Sequence, residues 1–175
     1  STTLGNGIEL QKNVVTKSQD GNHHVELDSH RRGQSNAMMT QTVDSLIVGE
    51  DYLLEFFYKP RTNTANDNGI NVFWHDAAID FDNTIQASYS ADSTRRLTPS
   101  WQQQSILLTA TAASMNVSFA SFGRQNTLGG LVDNVSLVGP SAVTGATEVG
   151  EPSIMLLLLI PFGLLLSAQR KQNIS

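Results

Sequence analysis

Four side chains suited to metal binding or acid–base work alternate along one short segment: His24, Glu26, Asp28 and His30, with Val25 and Leu27 among them. In an extended strand successive side chains point to opposite faces, so the four polar residues share one face and the aliphatic pair shares the other. Imidazole and carboxylate together suit zinc or a similar ion. Same-face neighbours on a strand lie about 6.5–7 Å apart, so one strand offers at most two close ligands and a partner strand would have to supply the rest. The alternative is a sheet face solvated by these polar groups. Glu26 and Asp28 can also reach the roughly 5–5.5 Å separation of a retaining glycosidase's carboxylates, but nothing else marks a cleft around them. Ser, His and Asp are plentiful without triad spacing, and there is no phosphate-binding glycine loop, Gly-x-Ser-x-Gly elbow or His-Glu-x-x-His. The chain reads as a non-enzyme.

Sugar recognition calls for aromatic faces beside side-chain amides or acids. Tyr58, Trp74, Trp101 and Tyr89 are the aromatic candidates, with Arg61, Asn66 and His75 nearby in sequence. Tyr58, Trp74 and Tyr89 form the expected carbohydrate-binding set. Aromatic residues at strand spacing also build cores, and Trp74 alternates with Val72, which predicts an inward ring. Tyr89 stands in Gln86-Ala-Ser-Tyr-Ser-Ala91, which reads as a polar loop presenting its ring. The turn Asn66-Asp67-Asn68-Gly69 reads as a plain turn, or as a cation-holding loop whose spacing is not that of an EF-hand.

The elements that would position these residues are strands. Alternating segments stand at about 7–12, 23–29, 37–43, 51–59, 69–75, 102–109, 114–121 and 131–138. Tyr52-Leu-Leu-Glu-Phe-Phe-Tyr58 is apolar on both faces except at Glu55, which predicts an internal strand with Tyr52, Leu54, Phe56 and Tyr58 on one side. Asp20-Gly21, Val48-Gly49-Glu50, Asn66 to Gly69 and Leu128-Gly129-Gly130 mark turns. Eight short strands without a helical period predict an all-β chain, a β-sandwich or jelly roll over residues 1–139.

With 175 residues, one domain plus a tail is the expected size. Eleven Lys and Arg against 16 Asp and Glu leave a net charge of −5, which argues against nucleic acid as a partner. Cysteine is absent, excluding disulfides, thiolate zinc sites and cysteine nucleophiles. Charged residues are only 15%, below the roughly 25% of typical soluble domains, so polarity comes from Ser, Thr, Asn and Gln.

After Gly139 the composition changes. Residues 140–150 are a small-residue linker, and 151–172 carry Glu151-Pro152-Ser153, a Leu-rich run from Ile154 to Leu166, and Arg170-Lys171. Thirteen apolar residues are fewer than the ~20 of a simple spanning helix, so the segment reads as a short C-terminal hydrophobic helix acting as a membrane anchor, stopped by the basic pair. This layout resembles the PEP-CTERM sorting signal, with Glu151, Pro152, Arg170 and Lys171 as its landmarks and Gly150 where the family has its first proline. The resemblance implies an exosortase-type processing enzyme as partner. It also implies export from a Gram-negative bacterium, transiently through the inner membrane and then to the cell surface or extracellular matrix.

A second resemblance covers most of residues 7–138. Gly7-Ile-Glu-Leu-Gln11, Asp20 through Asp28, Gln41-Thr-Val43, Gly49 through Phe56, Trp101 and Leu128 through Leu137 resemble the landmarks of galactose-binding-like domains in PEP-CTERM proteins. Those domains are jelly rolls akin to carbohydrate-binding modules. Their first strand, with Asn-Gly-Ser-Phe-Glu, has no counterpart here, which predicts a shortened N-terminus. The resemblance implies structural calcium at Asp20 and Asp133, a glycan or exopolysaccharide partner, and a non-catalytic binding role. A structural biofilm-matrix or adhesion protein without specific sugar binding is the alternative.

Overall fold

The structure is a computed structural model that describes residues 2–4 (backbone only), 7–28, 35–64, 66–79, 85–91 and 99–140. The chain divides into two units, Ser1–Ala142 and Val143–Ser175, and every described residue belongs to the first. The expected sorting residues Glu151, Pro152, Arg170 and Lys171, the expected C-terminal helix, and His30 lie outside the described residues.

Among the described residues ten strands form two five-stranded antiparallel sheets. They are β1 (Thr2–Leu4), β2 (Glu9–Gln11), β3 (His24–Glu26), β4 (Met38–Val43), β5 (Asp51–Lys59), β6 (Gly69–Asp76), β7 (Ile85–Tyr89), β8 (Gln102–Thr109), β9 (Met115–Phe122) and β10 (Leu131–Val138). The first sheet has the order β1-β4-β9-β6-β7 and the second β2-β3-β10-β5-β8. No described residue is helical, so the described fold is an all-β jelly-roll sandwich.

The core follows from the alternation in β5. Tyr52, Leu54, Phe56 and Tyr58 are buried, whereas Leu53, Glu55, Phe57 and Lys59 point away from them. β5 pairs with both β8 and β10, as expected of an internal strand. Its buried face meets Ile70, Val72 and Trp74 of β6, Leu108 of β8 and Met115, Val117 and Phe119 of β9. Phe56 packs edge-on against Phe119, with ring centroids 5.0 Å apart, and against Tyr89 at 5.6 Å.

The turn residues do what their chemistry allows. Gly21 and Gly49 have φ of 58° and 89°, and Asn66 and Asn68 have φ of 54° and 59°, the left-handed region that Gly and Asn tolerate best. Gly129 and Gly130 act by lacking a side chain. A Cβ on Gly129 would lie 2.5 Å from Cβ of Asp28, and one on Gly130 2.6 Å from Cγ2 of Ile70, so the chain entering β10 lies directly against both sheets.

Two strands differ from the sequence expectation. The Gln86–Ala91 segment is not a loop at Tyr89: Ile85–Tyr89 is edge strand β7, paired with β6. Most of its side chains are exposed, and that hides any period-two signal. β1 is a three-residue strand on β4, too short to carry a pattern.

Candidate functional site

Outward-facing positions of the β5 sheet bring the polar residues of β3 under cover. The expected solvated face is not what forms: His24, Glu26 and Asp28 are each 1% exposed. Residues 12–20 are pinned across this face from several sides. Nζ of Lys59 donates to Oγ1 of Thr16 at 2.6 Å, and Nε1 of Trp101 donates to the Lys17 carbonyl at 2.9 Å. Oγ of Ser18 lies 3.0 Å from Nδ1 of His24, and the Trp101 ring stands edge-on to His24 at 5.6 Å. Burial holds the His24 imidazole below its usual pKa despite the favourable charge of Asp133, and it likewise lowers that of Lys59.

Glu26 is held by Arg61, by the Gly129 N–H at 3.0 Å, and by Nε2 of Gln11 at 3.1 Å. Burial raises its pKa, against the opposing effects of the Gly129 N–H and Arg61. A carboxylate so enclosed ties β2, β3 and the Gly129 loop together and presents no oxygen for acid–base work. Among the described residues no three His, Cys, Asp or Glu gather as a metal cluster.

Asp20 and Asp133, far apart in sequence, do meet. Oδ2 of Asp133 accepts the backbone N–H of Gln19 at 2.7 Å and of Asp20 at 3.1 Å, and Oδ1 accepts that of Asn134 at 2.9 Å. The expected partner thus contributes its backbone N–H, not its carboxylate. Three N–H donors around one carboxylate do the work a cation would do, so this donor set does not fit calcium as it stands. The Asn66–Gly69 loop is closed in the same way. Asp67 accepts the Asn68 N–H at 3.0 Å and Nδ2 of Asn126 at 2.9 Å, leaving both of its oxygens engaged.

The expected sugar-binding rings are displaced by the fold. Tyr58 is 2% exposed and donates its hydroxyl to the Asn68 carbonyl at 2.8 Å; burial raises its pKa. Trp74 is 6% exposed and donates Nε1 to the Thr109 carbonyl at 2.8 Å, in accord with its alternation with Val72. Neither presents a ring face. Tyr89, expected to be exposed, is half-buried with its ring against Phe56 and Tyr58, because β7 turns it inward in register with Ile70.

What remains is the outer face of the β9 sheet, which the sequence reading did not assemble. Cross-strand register places Thr42, Asn116 and His75 in one row, Thr40, Ser118, Phe73 and Ile85 in the next, and Met38, Ala120, Asn71 and Ser88 in a third. Thr40 and Ser118 hydroxyls lie 2.8 Å apart, Oγ1 of Thr42 donates to Asn116 at 2.7 Å, and Oγ of Ser88 donates to Asn71 at 2.6 Å. Met38, Phe73, His75 and Ser118 are buried at the middle of this face, whereas Thr42, Ile85 and Ser88 at its margins are exposed. Only His75 was a sequence candidate, since amides and hydroxyls carry no motif.

No family model matches the chain. Two curated relatives are multifunctional-autoprocessing repeats-in-toxin proteins. That of Vibrio cholerae is 29% identical over 118 residues, 67% of this chain, and that of Vibrio vulnificus is 28% identical over 133 residues, 74% of it. In each case the match spans 2% of the toxin's own length. Among solved structures, the K1 cleaved adhesin domain of Lys-gingipain from Porphyromonas gingivalis aligns with a TM-score of 0.60 at 14% identity, over 81% of this chain and 90% of that one. The carbohydrate-binding module TmCBM61, solved with β-1,4-galactotriose, aligns at 0.50 and 16% identity, over 80% and 88%. At these identities the likeness is one of fold, and in fold this chain is a jelly-roll β-sandwich similar to an adhesin domain and a carbohydrate-binding module.

Proposed function

We propose that the chain is a non-catalytic, exported glycan-binding module that uses the outer face of the β9 sheet. The observation that supports this reading is the array of Thr42, Asn116, Asn71 and Ser88, whose hydroxyls and amides line the accessible margins of that face. Hydroxyl and amide groups exchange hydrogen bonds with sugar hydroxyls, and the exposed Ile85 side chain offers an apolar contact for the C–H face of a sugar ring. On the opposite outer face residues 12–20 cover the part over β3 and Lys59, whereas its β5–β8 side keeps Leu53 and Leu107 exposed. Fold likeness to a carbohydrate-binding module is compatible with this reading but does not carry it. Export and sorting rest on the tail at residues 151–172 alone.

The test is calorimetric titration of the full chain with neutral and acidic polysaccharides. Saturable binding that falls about tenfold in Asn71→Ala and in Asn116→Ala is the expected result. Absence of saturable binding to any polysaccharide, with concentration-dependent self-association instead, would favour a structural matrix or adhesion role. The likeness to the Lys-gingipain adhesin domain keeps that second reading in view.

A further inference from the structure

A cavity of about 560 Å³ lies between the two sheets at the edge formed by β2, β3 and β4. Its walls are Ile8, Leu10, Val25 and Val132 on one side and Met39, Val117 and Phe119 on the other. Leu10 is 70% exposed while lining it, so the cavity opens at this edge.

The opening follows from a device in β10. This strand pairs with β3 only through Leu131 and Val132, yet with β5 as far as Val138. Between Asp133 and Ser136 its register shifts, and Asn134 takes a φ of 48°. This bulge ends the pairing with β3, and Asp133, Asn134 and Val135 all border the cavity. The gap thus lies where β10 is irregular and β3 comes to its end at His24.

We infer that this cavity binds an uncharged, single-chain amphiphile, its aliphatic chain between the sheets and its polar end at the mouth. The volume falls within the ~300–1,000 Å³ of small-molecule sites. Met39 on the wall adapts to irregular apolar shapes. Gln41 and Asn134 supply uncharged hydrogen-bonding groups along the lining. Asp133, the one carboxylate among the described lining residues, and a chain charge of −5 disfavour an anionic head. Thr40 borders both this cavity and the outer β9-sheet face, but the cavity opens at Leu10 and the glycan test rests on Asn71 and Asn116, so either reading can fail without the other.

The test uses the full chain with the neutral dye N-phenylnaphthylamine, displaced by decanol below its solubility limit or by decanoate below its micellar concentration. The expected result is one saturable site, with decanol displacing the dye and decanoate weaker by about tenfold. Leu10→Asp, at an exposed position, should weaken dye binding by about tenfold without moving the melting temperature. Val14→Asp, equally exposed but outside the cavity, should leave binding unchanged. Dye binding insensitive to Leu10→Asp would assign the dye to the Leu-rich segment 154–166 and overturn the inference. So would the absence of a saturable site, decanoate binding as well as decanol, or a concentration-dependent dimer by ultracentrifugation in which the dye no longer binds.

Discussion

Glu26 and His24 occupy neighbouring outward positions of β3, and burial shifts their pKa values in opposite senses. His24 is held below its unfolded value of 6.5, so the unfolded chain takes up its proton first and stability falls as pH drops below about 6.5. Glu26 is raised above 4.5, so its contribution is complete below that value and is lost as pH rises through the folded value. The expected outcome is a melting temperature that declines from about pH 7 to pH 5 less steeply in His24→Gln than in the parent chain. Parallel profiles would show that His24 titrates alike in both states. Arg61 is 24% exposed and Glu26 1%, so removing either partner is not symmetric. Arg61→Ala leaves a buried carboxylate without its cation and should cost on the order of 3 kcal/mol in denaturant unfolding, whereas Glu26→Gln frees an arginine that can turn to water and should cost less.

At the scale of elements, residues 12–20 and the Gly129–Gly130 approach hold the sandwich's polar side closed. Asp133 binds the former through the N–H groups of Gln19 and Asp20. Asp133→Asn should lower the melting temperature equally with calcium and with a chelator; a loss seen only in calcium would restore the cation reading of this site. Gly130→Ala forces a methyl against Ile70, Asn68 and Tyr58 and should cost about 1–3 kcal/mol. The strands themselves were legible where one face is apolar and buried, as in β5, because burial of one face imposes the two-residue period. β7 was not, since an edge strand exposed on most of its length selects for neither face.

For the whole molecule, the tail poses a question of address, separate from that of the fold. Deleting residues 151–175 should leave the chain in the soluble fraction of a bacterial host, whereas the full chain should partition with membranes; equal solubility would remove the anchor reading. The sequence by itself determined the all-β class, the internal position of β5, the inward ring of Trp74 and the low-charge, cysteine-free character, because these follow from local alternation and composition. The tertiary structure decided which polar residues meet. Thr42, Asn116 and His75 come from three strands, and register alone puts them in one row. It also moved His24, Glu26 and Asp28 from an expected solvated face to a buried one. Alternation tells which side of a strand a residue takes, but only the packing of distant segments such as residues 12–20 determines whether that side meets water.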